Sequence, residues 1–335
     1  ETNVATGDAL LAETYGMDPE TTTTGTHIND FVPSIHEDDR QRVRETLERA
    51  VEGTDEFEAE YRVQGAEGEW RWVMARGEVE YDAYGDQVRM NGALVDVTDR
   101  HCRERELAER AAQQEVVSEL GQQALAQHDV DSLLVAASEQ VTETLQADYA
   151  KVLEFRPVED DLLLRAGVGW EDGWIGDATV ESSRDYQSGY TLRSAEPVVV
   201  DDHEQEERFV RSKLLTAHDA ASGISVAIGP PSQPWGVLSV HATDPRQFST
   251  NDISFVQSVA NVLHTAIERR QREHELEHQR EHLAALNSLN EVVHDIVHAV
   301  IEQSTREEIE ATVCERLSAT RSEERRVGKE CTLRC

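Results

Sequence analysis

The residues most able to do chemistry in this sequence are histidines, six of which fall in one long predicted helix. A histidine can accept a phosphoryl group, and two histidines spaced i, i+4 can ligate a metal from one helix face. His274-Glu275-Leu276 begins like the kinase phosphoacceptor box His-Glu-Leu-Arg-Thr-Pro, but Glu277-His278 follows instead. The sequence places no third ligand beside any pair, so we interpret these side chains as solvated. The six are His264, His274, His278, His282, His294 and His298.

Other catalytic patterns are missing from the sequence. It has no phosphate-binding loop and no Gly-x-Ser-x-Gly, and no catalytic carboxylate pair stands out among its 67 acidic residues. None of its four cysteines forms a CxxC pair, which argues against a disulfide framework and a zinc site. We therefore predict no metal and expect the chain not to be an enzyme. The cysteines are Cys102, Cys314, Cys331 and Cys335.

The charge balance excludes several partners. Asp and Glu number 67 against 32 Lys and Arg, a net charge of −35, and the only lysines are Lys151, Lys213 and Lys329. Molar salt screens the self-repulsion of such an acidic surface. The composition resembles that of proteins from salt-in halophilic archaea, and an acidic mesophilic protein is the alternative. Both halves of the chain are acidic, which argues against direct nucleic-acid contact. No apolar run is long enough to span a membrane, and we expect a cytoplasmic protein.

The hydrophobic pattern of residues 1–100 predicts a small α+β domain. Its helix carries Val43, Leu47 and Val51 on one face, a spacing typical of an amphipathic helix. In the first strand after it Phe57, Ala59, Tyr61 and Val63 alternate on one side. The predicted elements are a helix over Glu37–Val51 and an antiparallel meander over 57–64, 69–81 and 87–97.

Three segments of this domain resemble the PAS family. They are Phe31-Val32-Pro33-Ser34-Ile35-His36-Glu37-Asp38-Asp39-Arg40, with Glu37 where proline is common, then Trp70-Arg71-Trp72, and finally Gly92 followed by Asp96-Val97-Thr98-Asp99-Arg100. The resemblance implies a PAS domain over 1–100 whose first strand lies upstream of Glu1. It also implies that Asp96, Thr98 and Asp99 form the signal-coupling motif at the domain exit.

The physical pattern at the exit is independent of the resemblance. Thr98 or Asp99 is predicted to cap the following helix, because a side-chain oxygen there can accept an unpaired backbone N–H. The linker over 101–116 is highly charged, with Leu107, Ala111, Gln114 and Val117 as a thin seam along the helix. Such a helix is either a solvated spacer or part of a dimeric coiled coil.

Residues 117–268 predict a second domain, an antiparallel sheet flanked by helices. Its first helix, over 131–145, faces inward through Leu134, Ala137, Val141 and Leu145. Four strands are predicted over 148–157, 161–169, 221–228 and 236–242, with a short strand at 196–202 and a loop-rich segment over 169–185. Ser249 and Asp252 have the spacing of a capping box, so a helix is predicted to begin at Thr250.

This order resembles a GAF domain across its whole length. The segments that carry the resemblance are Gly189-Tyr190, Glu196-Pro197-Val198-Val199-Val200-Asp201, Trp235-Gly236-Val237-Leu238-Ser239-Val240 and Phe248-Ser249 with Asp252, Phe255 and Val259-Ala260. The order and spacing of these segments carry the resemblance, since none is specific alone.

Two cofactor types would need a cysteine: a covalent bilin in 117–268 and a flavin–cysteine adduct in 1–100. Neither range contains one, so we expect neither, and the cofactor stays unknown.

A helical pattern runs without proline from Thr250 to about Ile301. Its seam, Leu286, Leu289, Val293, Ile296 and Val300, has heptad spacing, and Leu276 and Leu283 extend it backwards. The seam fits two interpretations, and the sequence does not decide between them. One is a homodimeric coiled coil over the signalling helix 269–303, and the other is packing of the seam against a following domain. Leu286 to Leu317 resembles the opening helices of a further GAF domain in haloarchaeal regulators of the bacterio-opsin activator type, which implies that residues 304–320 are the start of such a domain. Residues 321–335 are basic and are interpreted as a non-native tail, a genuine basic tail being the alternative.

The PAS and GAF resemblances imply concave sheets that can hold a small ligand. Candidate lining residues are Trp72, Met74 and Met90 in the first domain and Trp170, Trp174 and Tyr190 in the second, with core packing as the alternative for each. We expect a sensory module that relays a small-molecule cue through helices to an output domain lost from the chain. That output is either a helix-turn-helix transcription regulator or the catalytic part of a histidine kinase. A purely structural dimer scaffold is the third alternative.

Overall fold

The computed structural model describes residues 4–51, 56–84, 87–126, 129–171 and 173–301, together with 306, 310 and 311. It divides the chain into two compact units, Glu1–Gln113 and Gln114–Cys335. The predictions for 304–320, apart from those three residues, and for the tail 321–335 lie outside the described residues. No helix in the described ranges is long and apolar enough to cross a bilayer.

The first unit contains the predicted helix and three-stranded meander. The meander, β3-β4-β5, is antiparallel throughout, and a second, two-stranded sheet pairs β1 with β2. The elements are β1 Val4–Ala5, α1 Ala9–Thr14, α2 Pro19–Thr24, β2 Thr26–His27, 3-10 turns Ile28–Asp30 and Val32–Ser34, α3 Glu37–Arg49, β3 Glu56–Gln64, β4 Trp70–Tyr81 and β5 Gln87–Asp96.

One face of the meander forms the core of this unit. The alternation predicted for β3 is confirmed, since Phe57, Ala59, Tyr61 and Val63 are all buried. They pack with Val73 of β4, Val43 and Leu47 of α3 and the Tyr15–Phe31 aromatic pair, each buried apolar side chain contributing about 1.5–3 kcal/mol. The expectation that Val51 shares the inner face is wrong, because α3 ends at Arg49 and Val51 is 38% exposed.

A six-stranded antiparallel sheet, in the order β8-β7-β6-β11-β10-β9, organises the second unit. The predicted sheet flanked by helices is confirmed. Three short elements, β8, α6 and α7, were not predicted. The elements are α4 Thr98–Ala126, α5 Val130–Leu145, β6 Tyr149–Arg156, β7 Asp161–Val168, β8 Thr179–Glu181, α6 Gln187–Leu192, β9 Val198–Val200, α7 Lys213–Ala217, β10 Ser222–Ile228, β11 Gly236–Ala242 and α8 Thr250–Ile301.

The two faces of this sheet have different surroundings. One face is mainly apolar and packs against α5, α8 and the C-terminal part of α4, through residues such as Val152, Leu238 and Ile224. The other face is covered by the segment between β7 and β10, which includes α6 and α7. Because successive strand residues alternate between faces, Lys151 and Ser239 face this covering segment.

The start of α8 follows the predicted capping box. The backbone N–H of Ser249 donates to the Asp252 carboxylate (3.0 Å), and the Asp252 N–H donates to the Ser249 hydroxyl (3.1 Å). The helix then continues to Ile301. Beyond Arg270 it is solvated over most of its length, and large apolar side chains lie exposed there. They are Leu276, Leu283, Leu286, Leu289, Val293 and Val297, which are 45–62% exposed.

Candidate functional site

The most unusual side chain in the described chain is Lys151, in the middle of β6. It is completely buried, and no group among the described residues lies within hydrogen-bonding distance of its Nζ. The Trp170 ring centroid lies 5.9 Å from that nitrogen, which places the ammonium over an aromatic face. A buried ammonium without a hydrogen-bonded counter-ion is costly, and few such groups occur in proteins without a function.

The strand register explains how the sequence brings Lys151 to this position. Lys151 lies opposite Ser239 on β11, which lies opposite Ser225 on β10, and the two serine hydroxyls bond to each other at 2.9 Å. On its other side Lys151 pairs with Gly167 of β7. A Cβ at Gly167 would stand 2.6 Å from the Trp170 ring, so glycine is what lets that ring lie against the sheet beside the lysine.

Two histidines lie near Lys151. His241 on β11 is completely buried, and His203 follows β9 and is 7% exposed; their ring centroids are 6.3 Å apart. Neither ring nitrogen of His241, nor Nε2 of His203, makes a hydrogen bond of good geometry within the described ranges, although the Ser222 backbone lies near the His241 ring. Gly223, opposite His241 on β10, makes room for its ring, because a Cβ there would stand 2.3 Å from Nδ1.

A buried amide adds to these polar groups. Gln187, at the start of α6, is 2% exposed, and neither its amide oxygen nor its amide nitrogen has a partner in the described part of the chain. Helix α6 packs on β10 and β11, the strands that carry Ser225, Ser239 and His241. We call Lys151, His203, His241 and Gln187 the polar cluster. Four buried side chains with unmet hydrogen-bonding capacity on one face of one sheet indicate a site for a polar ligand.

Burial sets the protonation states of the polar cluster. Desolvation lowers the pKa of Lys151 to about 7. Desolvation, aided by the positive charges of Arg211 and Lys151, lowers the pKa of His203 to about 4, against the opposing effect of Glu206 and Asp202. Desolvation and the positive charge of Lys151 hold the pKa of His241 well below its ordinary value. The nearby Ser222 backbone has a smaller effect that raises this pKa. At neutral pH both imidazoles are therefore uncharged.

Of the predicted ligand residues, Trp170 lies beside Lys151 of the polar cluster, and Trp174 is joined to it through the ring of His218. Both contact the ring of His218, at centroid distances of 4.9 and 5.3 Å, and Tyr149 lies 4.9 Å from Trp170. His218 itself is satisfied, because its Nδ1 lies 2.9 Å from the Leu214 carbonyl oxygen and the Glu171 N–H donates to its Nε2. The aromatic cluster therefore forms a wall next to Lys151.

The third predicted residue of this unit, Tyr190, lies elsewhere. It packs on Phe209, at a ring distance of 5.6 Å, in a small cluster with Val198 and Val200. The structure thus brings together two of the three aromatic residues that the sequence put in one pocket.

The predicted pocket residues of the first unit are also divided. Met90 packs against the core face of the meander, near Ala75 and Leu94. Trp72 and Met74 alternate with Val73 and Ala75 along β4 and so point to the opposite face. Trp72 stacks on His101 of α4, with centroids 4.2 Å apart.

The exit of the first unit is tied firmly to β4. The Thr98 hydroxyl accepts a hydrogen bond from the Trp72 N–H (2.9 Å), and the Val97 N–H donates to the Trp72 carbonyl (2.8 Å). Because the Thr98 hydroxyl is engaged there, it does not cap α4. Instead the Asp96 carboxylate accepts the Thr98 N–H (2.8 Å), and Asp99 pairs with Arg103 at the surface (3.7 Å). The predicted cap at Thr98 or Asp99 is wrong, and the Asp96 carboxylate instead accepts the N–H of the first residue of α4.

Glu60 of β3 strengthens this attachment. Its carboxylate bonds to Arg100 and, at 2.9 Å, to Nε2 of His101, both in the first turn of α4. These two hydrogen bonds lower the pKa of Glu60 below its ordinary value. The first turn of α4 is therefore held by two adjacent strands of the meander.

No group of three or more His, Cys, Asp or Glu side chains in the described ranges is arranged to hold a metal ion. Cys102, the cysteine that lies in these ranges, is a free thiol exposed on α4.

Sequence reasoning missed all four members of the polar cluster. The available signal was composition, because Lys151 is one of three lysines in the chain and stands in an apolar strand. His241 likewise interrupts an apolar run, yet only the histidines of the long helix were considered as chemical groups. Nothing in the sequence around Gln187 or His203 marks their burial.

Comparisons with known proteins agree with this architecture. Residues 6–94 match the family model of the PAS fold, and residues 129–267 match that of the GAF domain. No curated protein matches the chain.

Several solved GAF structures are similar to the chain. The GAF domain of a phosphoenolpyruvate-protein phosphotransferase from Coxiella burnetii is 16% identical, covers 50% of this chain and 98% of its own, and has a TM-score of 0.46. The phycocyanobilin-bound GAF domain of a cyanobacterial phytochrome is 19% identical, covers 48% and 97%, and has a TM-score of 0.42. Residues 122 to 287 of a methyl-accepting chemotaxis protein are 18% identical, cover 45% and 96%, and have a TM-score of 0.40.

The two family models fall on the two units, and PAS and GAF domains are sensory domains whose combination fits a signal-transduction sensor. The chain therefore carries a PAS-fold domain followed by a GAF domain.

Proposed function

We propose that this chain is a sensory module whose GAF domain binds a small molecule at the polar cluster and relays the event through α4 and α8. The output domain lies outside residues 1–320. The observation that supports this proposal most is the burial of Lys151, His203, His241 and Gln187 with unmet hydrogen-bonding capacity. Ligand binding would satisfy these groups, and a conformational equilibrium biased by that binding is all a relay requires.

The relay from the PAS domain uses the attachment of α4. Thr98 and Glu60 connect the first turn of this helix to β4 and β3. A shift of the meander would therefore move the start of α4. Asp96 takes part by accepting the Thr98 N–H. In this proposal Asp96 and Thr98 are coupling residues, and Asp99 contributes only a surface ion pair.

The proposed output interface is a homodimer formed through α8. Its C-terminal half carries six exposed large apolar residues, and their spacing places several of them on one stripe. A second copy of the same helix presents the same stripe, which makes a two-fold dimer the simplest partner. In this proposal the chain makes and breaks no covalent bond.

Two outputs remain as proposals. The first is a helix-turn-helix transcription regulator in the cytoplasm of a halophilic archaeon, which the acidic composition and the GAF-like segment 304–320 support. The second is a histidine kinase, for which the chain would be the input half. The sequence favours the regulator, because the His274 segment lacks the rest of the phosphoacceptor box.

The relay is tested by hydrogen-exchange mass spectrometry on the full chain. We expect native mass spectrometry to detect a small molecule that purifies with the wild type and is absent from Lys151→Met. Removing that molecule should change the protection of residues 98–126 and 269–301 in the wild type, and the same treatment should leave Lys151→Met unchanged. A change confined to the GAF sheet would refute the relay.

The dimer is tested separately with a double variant, Leu286→Ser with Leu289→Ser. We expect it to run as a monomer in light scattering at a concentration where the wild type is dimeric. Asn287→Ser is the matched control, since Asn287 is an exposed polar residue of the same helix turn and its change should leave the dimer intact. An unchanged mass for the double variant would rule out the α8 dimer.

A further inference from the structure

The polar cluster contains a cation, Lys151, that has no counter-ion among the residues that the structure describes. Desolvation is the cause of the lowered pKa of Lys151, and no carboxylate acts on it in the opposite direction. The acidic groups that act on His203 are Glu206 and Asp202. Asp202 accepts bonds from the Glu204 N–H and the Gln205 amide, and Glu206 is paired with Arg208 at 2.6 Å. These carboxylates are therefore committed to other partners.

The remaining members of the cluster supply hydrogen bonds without charge. His203 and His241 are neutral at pH 7, because burial depresses the pKa of each ring. A neutral imidazole offers one N–H donor and one acceptor, and the Gln187 amide offers both as well. Arg211, the other cation near His203, donates to the Ala220 carbonyl (3.4 Å). Arg211 keeps its positive charge in that bond, but it lies outside the cluster as defined, in which Lys151 is the one cationic side chain.

We propose that the polar cluster binds a small organic monocarboxylate, with the carboxylate paired to Lys151 and hydrogen-bonded by the His241, His203 and Gln187 side chains. This inference rests on the proposed function, because it names the ligand class of the same site. One negative charge balances the ammonium. A phosphate carries about −1.5 to −2 at pH 7 and would leave excess negative charge buried, and a neutral ligand would leave Lys151 unpaired.

The neighbouring aromatic side chains fit the same ligand class. The Trp170 ring lies beside Lys151, with Tyr149 next to it and Trp174 on the far side of His218. They offer an apolar wall to the organic part of such an acid. The carboxylate and the aromatic wall together distinguish an organic acid from an inorganic anion.

The test uses the full chain labelled with carbon-13 at the lysine Cε, which gives a simple spectrum because the chain has three lysines. Acetate is the probe, since it carries the carboxylate with the smallest organic part. We expect acetate, against chloride at equal ionic strength, to shift the Lys151 resonance and raise the melting temperature. The acetate affinity should fall up to about tenfold per pH unit above pH 7, as Lys151 loses its proton.

The controls test the charge and the side chain separately. Acetamide and inorganic phosphate should perturb the Lys151 resonance at least tenfold more weakly than acetate. Lys151→Met should weaken acetate binding at least tenfold, and so should His241→Leu, a second variant on a different strand. Lys213→Met, at the exposed start of α7, should leave acetate binding unchanged. An acetate response that is absent, or matched by acetamide or phosphate, would overturn the assignment.

Failure of this inference can be told apart from failure of the proposed function. If acetate engages Lys151 but leaves the protection of residues 98–126 and 269–301 unchanged, the ligand class stands and the relay is refuted. If a neutral compound purifies with the wild type and changes that protection, the relay stands and the monocarboxylate is refuted.

Discussion

The PAS and GAF domains of this chain differ in how their buried ionisable side chains are paired. In the described part of the PAS domain, the buried ionisable side chains pair with one another. Asp39 bonds to the Arg62 side chain (2.9 Å) and backbone (3.0 Å), and the Tyr15 and Tyr61 hydroxyls bond to each other at 2.5 Å. In the GAF domain Lys151, His203 and His241 remain without such partners within the described ranges.

This difference supports different roles for the two domains in the proposed relay. A satisfied network stabilises one conformation, because breaking any of its bonds leaves a buried group unpaired. An unsatisfied cluster raises the free energy of the unliganded state and is relieved only by a ligand. We therefore place ligand recognition in the GAF domain. The PAS domain would act mainly by holding the first turn of α4.

The largest expected effect is that of Lys151→Met on stability. The folded state holds the pKa of Lys151 at about 7, against 10.5 for the exposed side chain, so folding is penalised whenever the unfolded chain is protonated. The penalty is full below pH 7, shrinks as pH rises and vanishes above about pH 10.5. At about 1.4 kcal/mol per pKa unit, removing it should stabilise the GAF domain by a few kcal/mol at pH 6.

The measurement is the urea midpoint of the GAF transition at pH 6, 8 and 10, at constant salt. The gain should decline steadily along this series. Lys213→Met is the matched control and should show no gain, since Lys213 is exposed. A Lys151→Met protein that is less stable than wild type at pH 6 would mean that Lys151 is not buried alone.

Asp39→Asn is expected to destabilise the PAS domain, whereas Lys151→Met is expected to stabilise the GAF domain. Burial acts to raise the pKa of Asp39, but hydrogen bonds from the Arg62 side chain and backbone outweigh it and lower that pKa. The stabilisation is present above the ordinary aspartate pKa, near 4, and is lost as pH falls through the lower folded value. The change should cost about 1–3 kcal/mol at pH 7 and much less at pH 3. Chemical unfolding of the PAS transition measures this, and an equal loss at both pH values would contradict it.

A smaller effect is expected from the tyrosine pair. Tyr61→Phe leaves the Tyr15 hydroxyl buried without a partner and should cost about 1–2 kcal/mol. Adding Tyr15→Phe removes the unpaired group and should recover much of that loss. A double-mutant cycle at neutral pH measures the coupling. Additive losses would show that the PAS network is not satisfied in the way described.

The parts of this fold that follow local rules were predictable from the sequence. The alternation of Phe57 to Val63, the Ser249–Asp252 capping box and the extent of α8 depend on neighbours within a few residues, and all three predictions are confirmed. The short elements β8, α6 and α7 were missed. Each has three to six residues, too few for periodicity to identify.

The polar cluster was not predictable, because long-range packing creates it. Lys151 is buried only because residues between β7 and β10 fold over one face of the sheet. The same lysine at a sheet surface would be solvated and unremarkable. The aromatic residues Trp170 and Trp174 were predicted near a pocket, and the structure places Trp170 beside Lys151 and joins Trp174 to Trp170 through the ring of His218, although their role in binding stays a prediction.

The most direct test is the pKa of Lys151, read from the carbon-13 shift of its Cε in the full unliganded chain and assigned by the loss of the resonance in Lys151→Met. Burial without a counter-ion predicts a value of about 7. A value near 10.5, that of an exposed lysine, would show that Lys151 is solvated or already paired. The GAF domain would then hold no uncompensated buried cation, and ligand recognition at the polar cluster would lose its physical basis.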